Sequence, residues 1–308
     1  MDILELPADS ALARIVACVS SQWPEHASFL EASLGGRAPE VLRDTIRMAG
    51  LIECLAGSDL GEFVQGYRWM CEMILAEEVE FRRTGHYRFS TFAEANAAVY
   101  QNRPLMKKYL HGILLSHILW ANHAAVSEYY ASGFLPDNRL QYRHLEVGPG
   151  HGLLLYQAAS DRRCGSITGW DISPTSLRHT EACLRRLGVE RPVVLAERDL
   201  MAGELAGEFD SIVISEVLEH LEQPDTALRR LAAVMAPRGL LFAHVPINSP
   251  TLDHIFLWRQ PEEFIELVRR CGFEVVDARI VPCTGYSERQ ARRMGITISC
   301  AVIATPRA

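Results

Sequence analysis

The chain has 308 residues, 48% hydrophobic and 22% charged, a balance that excludes a disordered or fibrous protein and suits two domains or one large one. Its 31 basic and 38 acidic side chains leave a formal charge of −7, which gives no field to draw in a phosphate backbone and argues against an extended nucleic-acid surface. Apolar runs such as 112–119 are broken by Ser116 and His117 well short of the ~20 residues of a membrane helix, and Asp2 and Glu5 stand where a targeting peptide carries positive charge, so no membrane role is expected and the chain reads as cytoplasmic.

In chain order, residues 10–132 show helical periodicity and few β-branched runs. Ala11, Ile15 and Val19 mark one helix, and Pro39, Val41, Leu42 and Ile46 begin another. Between 59 and 80 an apolar stripe recurs at three- and four-residue steps, the pattern of a helix with one buried face. Ser90 and Thr91 ahead of Phe92 and Glu94 predict a capped start, and Pro104 predicts the first turn of a helix reaching Tyr130 with a bend near Gly112. Pro136, Asp137 and Asn138 then form the expected linker, dividing an all-α domain, 1–139, from a second domain, 140–308.

Past the linker, strand and helix alternate. Strands are predicted at 144–147, 167–170, 193–196, 209–214 and 240–245, with helices at 174–187, 225–235 and 261–271, which gives a parallel, doubly wound α/β sheet. Two closing strands, 273–281 and 297–304, have no helix-length apolar stretch between them and predict an antiparallel edge hairpin. The eight cysteines contain no CxxC, and the closest pair, Cys271 and Cys283, is twelve residues apart. Buried thiols in a reducing compartment are expected, not a zinc or dithiol site.

The first strand runs into Glu146-Val147-Gly148-Pro149-Gly150-His151-Gly152. A glycine turn where a strand meets a helix lets backbone approach a ligand closely and aims unpaired N–H groups at it. Asp171 ends the next strand 21 residues after Gly150, near the spacing at which a carboxylate meets ribose hydroxyls, although it could instead cap the following helix. Nicotinamide enzymes and methyltransferases share this arrangement. Four further features separate them: the acidic residue opening the turn, Asp199 in Glu197-Arg198-Asp199-Leu200, the segment Ser215-Glu216-Val217-Leu218-Glu219-His220 after the fourth strand, and Cys271-Gly272-Phe273 opening the closing pair.

Together these residues resemble the seven-stranded, Rossmann-like S-adenosylmethionine-dependent methyltransferases over about 142–305. The resemblance implies S-adenosylmethionine as cofactor, S-adenosylhomocysteine as product and a reversed last strand. It places Glu146, Gly148 and Gly150 at the methionine end, Asp171 at the ribose, Ile172 on the adenine face, and Asp199 with Leu200 at the adenine edge. Ser215 and Glu216 are implied beside the sulfonium. The helical domain is expected to cover the substrate, and helical additions of this kind allow a homodimer.

Methyl transfer asks the protein mainly to align donor and acceptor and to exclude water; a base matters only where the acceptor must lose a proton. Candidate catalytic residues are His254, His220 and Glu216. Tyr87, Arg88, Tyr100, His117, Trp120, Asn248, Asp253 and His254 are candidate substrate-binding residues, each weighed against a packing role. His244 lies within a strand and reads more readily as core. No metal site is expected, because the adjacent Asp253 and His254 point in different directions. The expected reaction is methylation of an oxygen, nitrogen or activated carbon of a small biosynthetic intermediate, such as a natural product. A protein or carrier-bound acceptor and a non-catalytic binding module are the alternatives.

Overall fold

The protein is represented by a computed structural model that describes residues 6, 7 and 9–307; Asp2 and Glu5 lie outside the described residues. No helix among the described residues is long and apolar enough to cross a membrane.

The first half is helical: α1 (Ala11–Gln22), α2 (Ala27–Leu34), α3 (Pro39–Ala56), α4 (Leu60–Thr84), α5 (Phe92–Ala95), α6 (Arg103–Leu119) and α7 (Ala121–Tyr129). The predicted start near Ser90 is real, with Thr91 and Glu94 forming a capping box ahead of α5, which passes into a π-helical turn over Asn96–Tyr100. The predicted bend near Gly112 is not there. The helix breaks instead at Trp120, where ψ reaches 131°, and Trp120 Nε1–H donates to Tyr67 Oη at 3.0 Å. Gly112 serves close approach: a Cβ there would lie 2.7 Å from Met70 Cβ and 3.1 Å from the Gly66 carbonyl, so α4 and α6 touch nearly backbone to backbone.

A seven-stranded sheet follows: β1 (Tyr142–Val147), β2 (Cys164–Asp171), β3 (Val194–Glu197), β4 (Phe209–Ser215), β5 (Met235–Ile247), β6 (Phe273–Pro282) and β7 (Ile298–Pro306), in the order β3-β2-β1-β4-β5-β7-β6. The first five pair in parallel, and the last strands run antiparallel. Helices α8 (Leu153–Ser160), α9 (Pro174–Arg186), α10 (Pro224–Ala233) and α11 (Pro261–Arg270) make the connections. The closing strands are joined by a short helix the sequence pattern did not predict, α12 (Glu288–Met294). Seven residues with only Ala291 buried leave no apolar period to read; its signal is the capping box of Ser287 and Gln290.

The chain divides into two compact units. A helical unit takes residues up to Glu128 together with Asn248–Leu257 and Val281–Ile298; a sheet unit takes Tyr129–Ile247, Trp258–Ile280 and the segment from Ser299. Residues 129–139 therefore pack with the sheet. Tyr130 meets Phe242 of β5 edge-on and Phe134 meets it at a tilt, at ring-centroid distances of 5.3 and 5.4 Å, and Arg163 donates to the carbonyls of Leu135, Pro136 and Asn138. The expected linker is thus a pinned turn.

Candidate functional site

The strand order reverses between β1 and β4, and the carboxyl ends of strands at such a switch point form a crevice. The glycine turn opens from β1 there. Gly148, Gly150 and Gly152 hold φ of 67°, 52° and 70°, and the Gly148 N–H donates to the Trp170 carbonyl at 2.8 Å. A Cβ at 148 would stand 2.6 Å from Val217 Cγ2, whereas one at 150 would meet nothing within 4 Å, so Gly150 exposes backbone to open space.

Glu146, on β1 before this turn, is 4% exposed, and its Oε2 has no hydrogen-bond donor among the described residues. Burial pushes its carboxyl well above the usual carboxylate range. An unsatisfied buried acid at the mouth of a glycine turn fits a cationic ligand group such as the amino group of a methionyl cofactor. At the end of β2, Asp171 Oδ1 accepts the Ser173 N–H at 2.8 Å, while Ser173 itself caps α9 by accepting the Ser176 N–H. Asp171 is therefore not the helix cap. Desolvation raises its carboxyl above the ordinary value. Ile172 beside it is 51% exposed, an apolar surface suited to the face of a base. Asp199 Oδ1 accepts the Met201 N–H, and Leu200 is buried.

At the end of β4, Ser215 Oγ lies 3.1 Å from His244 Nδ1, and Glu216 Oε1 lies 3.2 Å from His244 Nε2. Glu216 holds a left-handed φ of 55°. His220 ends a 3-10 turn, half-buried, with Nε2 at 3.8 Å from the neighbouring Glu219 carboxylate. His244, read from the sequence mainly as core, thus joins two expected cofactor residues through a strand-to-strand register that alternation within β5 does not reveal.

The remaining candidates sit in the helical unit. His254 is 4% exposed; its Nδ1 lies 2.7 Å from the Ser249 carbonyl, which places the ring proton on Nδ1 and the lone pair on Nε2. Ser249 N–H donates to Tyr87 Oη at 3.0 Å, and the Tyr87 ring meets the His254 ring edge-on at 5.9 Å. Asp253 accepts three hydroxyls, from Tyr100 at 3.0 Å, Tyr109 at 2.9 Å and Thr251 at 3.0 Å. Sequence reasoning did not pair Tyr109 with Asp253, because 144 residues separate them. Asn248 holds φ of 47°, and its carbonyl accepts from Thr297. Arg88 is committed to the buried Glu77 through Nε and Nη2 and does not present a free guanidinium. His117 is brought down to about 4 by burial, and Trp120 donates to Tyr67.

A Rossmann-like sheet whose switch point joins a glycine turn, a buried acid and a ribose-spaced aspartate belongs to the class of S-adenosylmethionine-dependent methyltransferase domains. Residues 145–241 match the family model described as "Methyltransferase domain". Among curated relatives, a ubiquinone biosynthesis O-methyltransferase of Xanthomonas axonopodis pv. citri is 32% identical over 108 residues, 35% of this chain and 44% of the relative. An uncharacterised methyltransferase of Mycobacterium bovis is 35% identical over 119 residues, 37% and 57% of the two chains. The chain spans about half the length of the curated relatives it matches. Similar solved structures include the N-methyltransferase NodS from Bradyrhizobium japonicum in complex with S-adenosyl-L-homocysteine, at 20% identity and a TM-score of 0.42 over 55% of this chain and 80% of that one. The cyclase SpnF is similar at 20% identity and a TM-score of 0.45 over 55% and 77%.

Proposed function

We propose that the protein transfers a methyl group from S-adenosylmethionine to an oxygen, nitrogen or activated carbon of a small biosynthetic intermediate. The observation that carries this reading is the buried, unsatisfied Glu146 carboxyl at a glycine turn of three left-handed residues. The donor supplies an electrophilic methyl on a good leaving group.

The chain's residues then divide the work. Glu146 binds the donor's amino group, Asp171 accepts from the ribose hydroxyls, Ile172 covers the base, and Asp199 with Leu200 borders its edge. We assign acceptor recognition to the segment Asn248–Leu257, which follows β5 directly in the chain. His254 is the base for an acceptor that must lose a proton: its Nδ1 is held by the Ser249 carbonyl, so Nε2 carries the lone pair that takes the proton.

Calorimetric titration with S-adenosylmethionine, S-adenosylhomocysteine and NADH tests the reading. The two sulfur ligands are expected to bind and NADH is not; failure of both sulfur ligands overturns it. Asp171→Ala should weaken both by about 1.5–3 kcal/mol through lost charge-assisted hydrogen bonds. With acceptors screened by labelled methyl transfer, His254→Ala should preserve donor affinity and lower turnover, and unchanged turnover would remove the base assignment.

A further inference from the structure

The three left-handed glycines after β1 are not held alike. Gly148 donates its N–H to the Trp170 carbonyl and has Val217 where a Cβ would stand; Gly152 donates to the Pro149 carbonyl, with Leu184 Cδ2 and Thr180 Cγ2 at 3.2 and 3.3 Å from that place. At Gly150 nothing lies within 4 Å of it, so no packing fixes the peptide of a residue that changes φ and ψ at little cost. The Gly150 N–H has no acceptor among the described residues. The Gly150 carbonyl has one donor, the Thr180 hydroxyl on α9, 30 residues away, at 2.7 Å. Thr180 is fully buried, and its Oγ1 also lies 3.0 Å from the Ser176 carbonyl one helical turn back, the usual partner of a helical threonine. A hydroxyl carries a single hydrogen. The Gly150 carbonyl is the nearer acceptor and has no other donor among the described residues, whereas the Ser176 carbonyl lies inside α9, where helical N–H groups serve it.

We propose that Thr180 is a positioning residue of the cofactor turn: by drawing the Gly150 carbonyl toward α9 it keeps that oxygen from the ligand and leaves the Gly150 N–H to meet the carboxylate of S-adenosylmethionine. The proposal rests on the methyltransferase reading and on Glu146 as partner of the donor's amino group. Amino group and carboxylate share one carbon, so a donor whose ammonium pairs with Glu146 on β1 brings its carboxylate beside the glycine turn that follows. An N–H facing a carboxylate makes a charge-assisted hydrogen bond, and a carbonyl oxygen facing it repels. Once the hydroxyl is gone, neither packing nor a hydrogen bond decides which of the two this glycine presents. Recognition of the ribose and base, assigned to Asp171, Ile172, Asp199 and Leu200, does not depend on this choice.

The test is calorimetric Kd measurement on the full chain with S-adenosylmethionine, S-adenosylhomocysteine and decarboxylated S-adenosylmethionine, which keeps the sulfonium, ribose, base and amino group and lacks the carboxylate. The wild type should bind the decarboxylated donor about tenfold or more weakly than the intact one, the order of effect of one charge-assisted hydrogen bond. Thr180→Val has the shape of threonine and no donor; it should weaken S-adenosylmethionine and S-adenosylhomocysteine by about tenfold and leave the decarboxylated donor almost unchanged. Thr180→Ser restores the hydroxyl and should bind all three as the wild type does. If the valine variant does not fold, Thr180→Ala takes its place, since it lacks the hydroxyl and sets no methyl against the carbonyl, and the same pattern is expected. Equal loss of all three ligands, the mark of a merely structural threonine, overturns the positioning role. So does unchanged affinity in the variants without the hydroxyl, or a serine variant as weak as the valine one. A wild type that binds the decarboxylated donor as tightly as the intact one overturns the carboxylate contact, and one that binds none of the three overturns the methyltransferase reading itself, which separates the failures.

Discussion

A buried carboxyl with no donor is charged only at a cost, and Glu146 keeps its proton far above the ordinary value of 4.5. The folded chain therefore holds a proton that the unfolded chain releases, and this residue's contribution to stability falls as pH rises above about 4.5. Glu146→Gln removes that dependence. Between about pH 5 and pH 8, the melting temperature of the ligand-free variant should fall less than that of wild type. Affinity for S-adenosylmethionine should drop about tenfold or more, because a neutral amide cannot form the charge-assisted contact with an ammonium. Parallel melting curves with unchanged affinity would refute both the burial argument and the ligand contact. Glu146 and Asp171 were readable as candidate site residues because each stands at a strand end in a local pattern. His244 was not, because its partners come from the neighbouring strand.

The helices α4 and α6 approach each other closely through Gly66 and Gly112. A Cβ on Gly66 would stand 2.7 Å from the Lys108 carbonyl, and one on Gly112 2.7 Å from Met70 Cβ. In an isolated helix, alanine would gain about 1 kcal/mol over glycine. Here Gly112→Ala should instead destabilise the protein by about 1–3 kcal/mol, read as a lower urea midpoint, because Met70 Cβ is fixed to its backbone and cannot move aside as a side-chain tip can. A glycine inside a periodic run looks like a bend in the sequence; only the facing helix shows that it is a seam. The 248–257 segment has a comparable latch in Asp253. Asp253→Asn turns one acceptor oxygen into a donor against the hydroxyls of Tyr100, Tyr109 and Thr251 and should cost about 1–3 kcal/mol. Turnover should fall while S-adenosylmethionine affinity holds. Equal loss of both would mean that this loop serves general folding instead of acceptor binding.

Across the whole molecule, buried and half-buried histidines set the response to acid. Burial brings His144 to about 3 and His26 and His117 to about 4. Each is neutral in the folded chain where the unfolded chain begins to protonate near 6.5, so the stability present above pH 6.5 is lost as pH falls toward about 4, at up to ~1.4 kcal/mol per pH unit for a fully buried ring. Glu146 acts in the opposite sense, so the ligand-free protein should be most stable near about pH 6.5, and urea midpoints measured from about pH 4 to 8 check this. A flat profile below 6.5 would show that these rings are hydrated. By itself, the sequence determined the strands, their alternation with helices, the glycine turn and the ribose-spaced aspartate, because strand period, helix capping and turn chemistry act between residues a few positions apart. Only the tertiary structure decided that 129–139 packs on Phe242, that Asn248–Leu257 joins the helical unit, that the helix breaks at Trp120 and that the His244 carbonyl accepts the Glu216 N–H. Those outcomes depend on which surfaces meet across distant stretches of chain, and close packing is settled by the partner as much as by the residue.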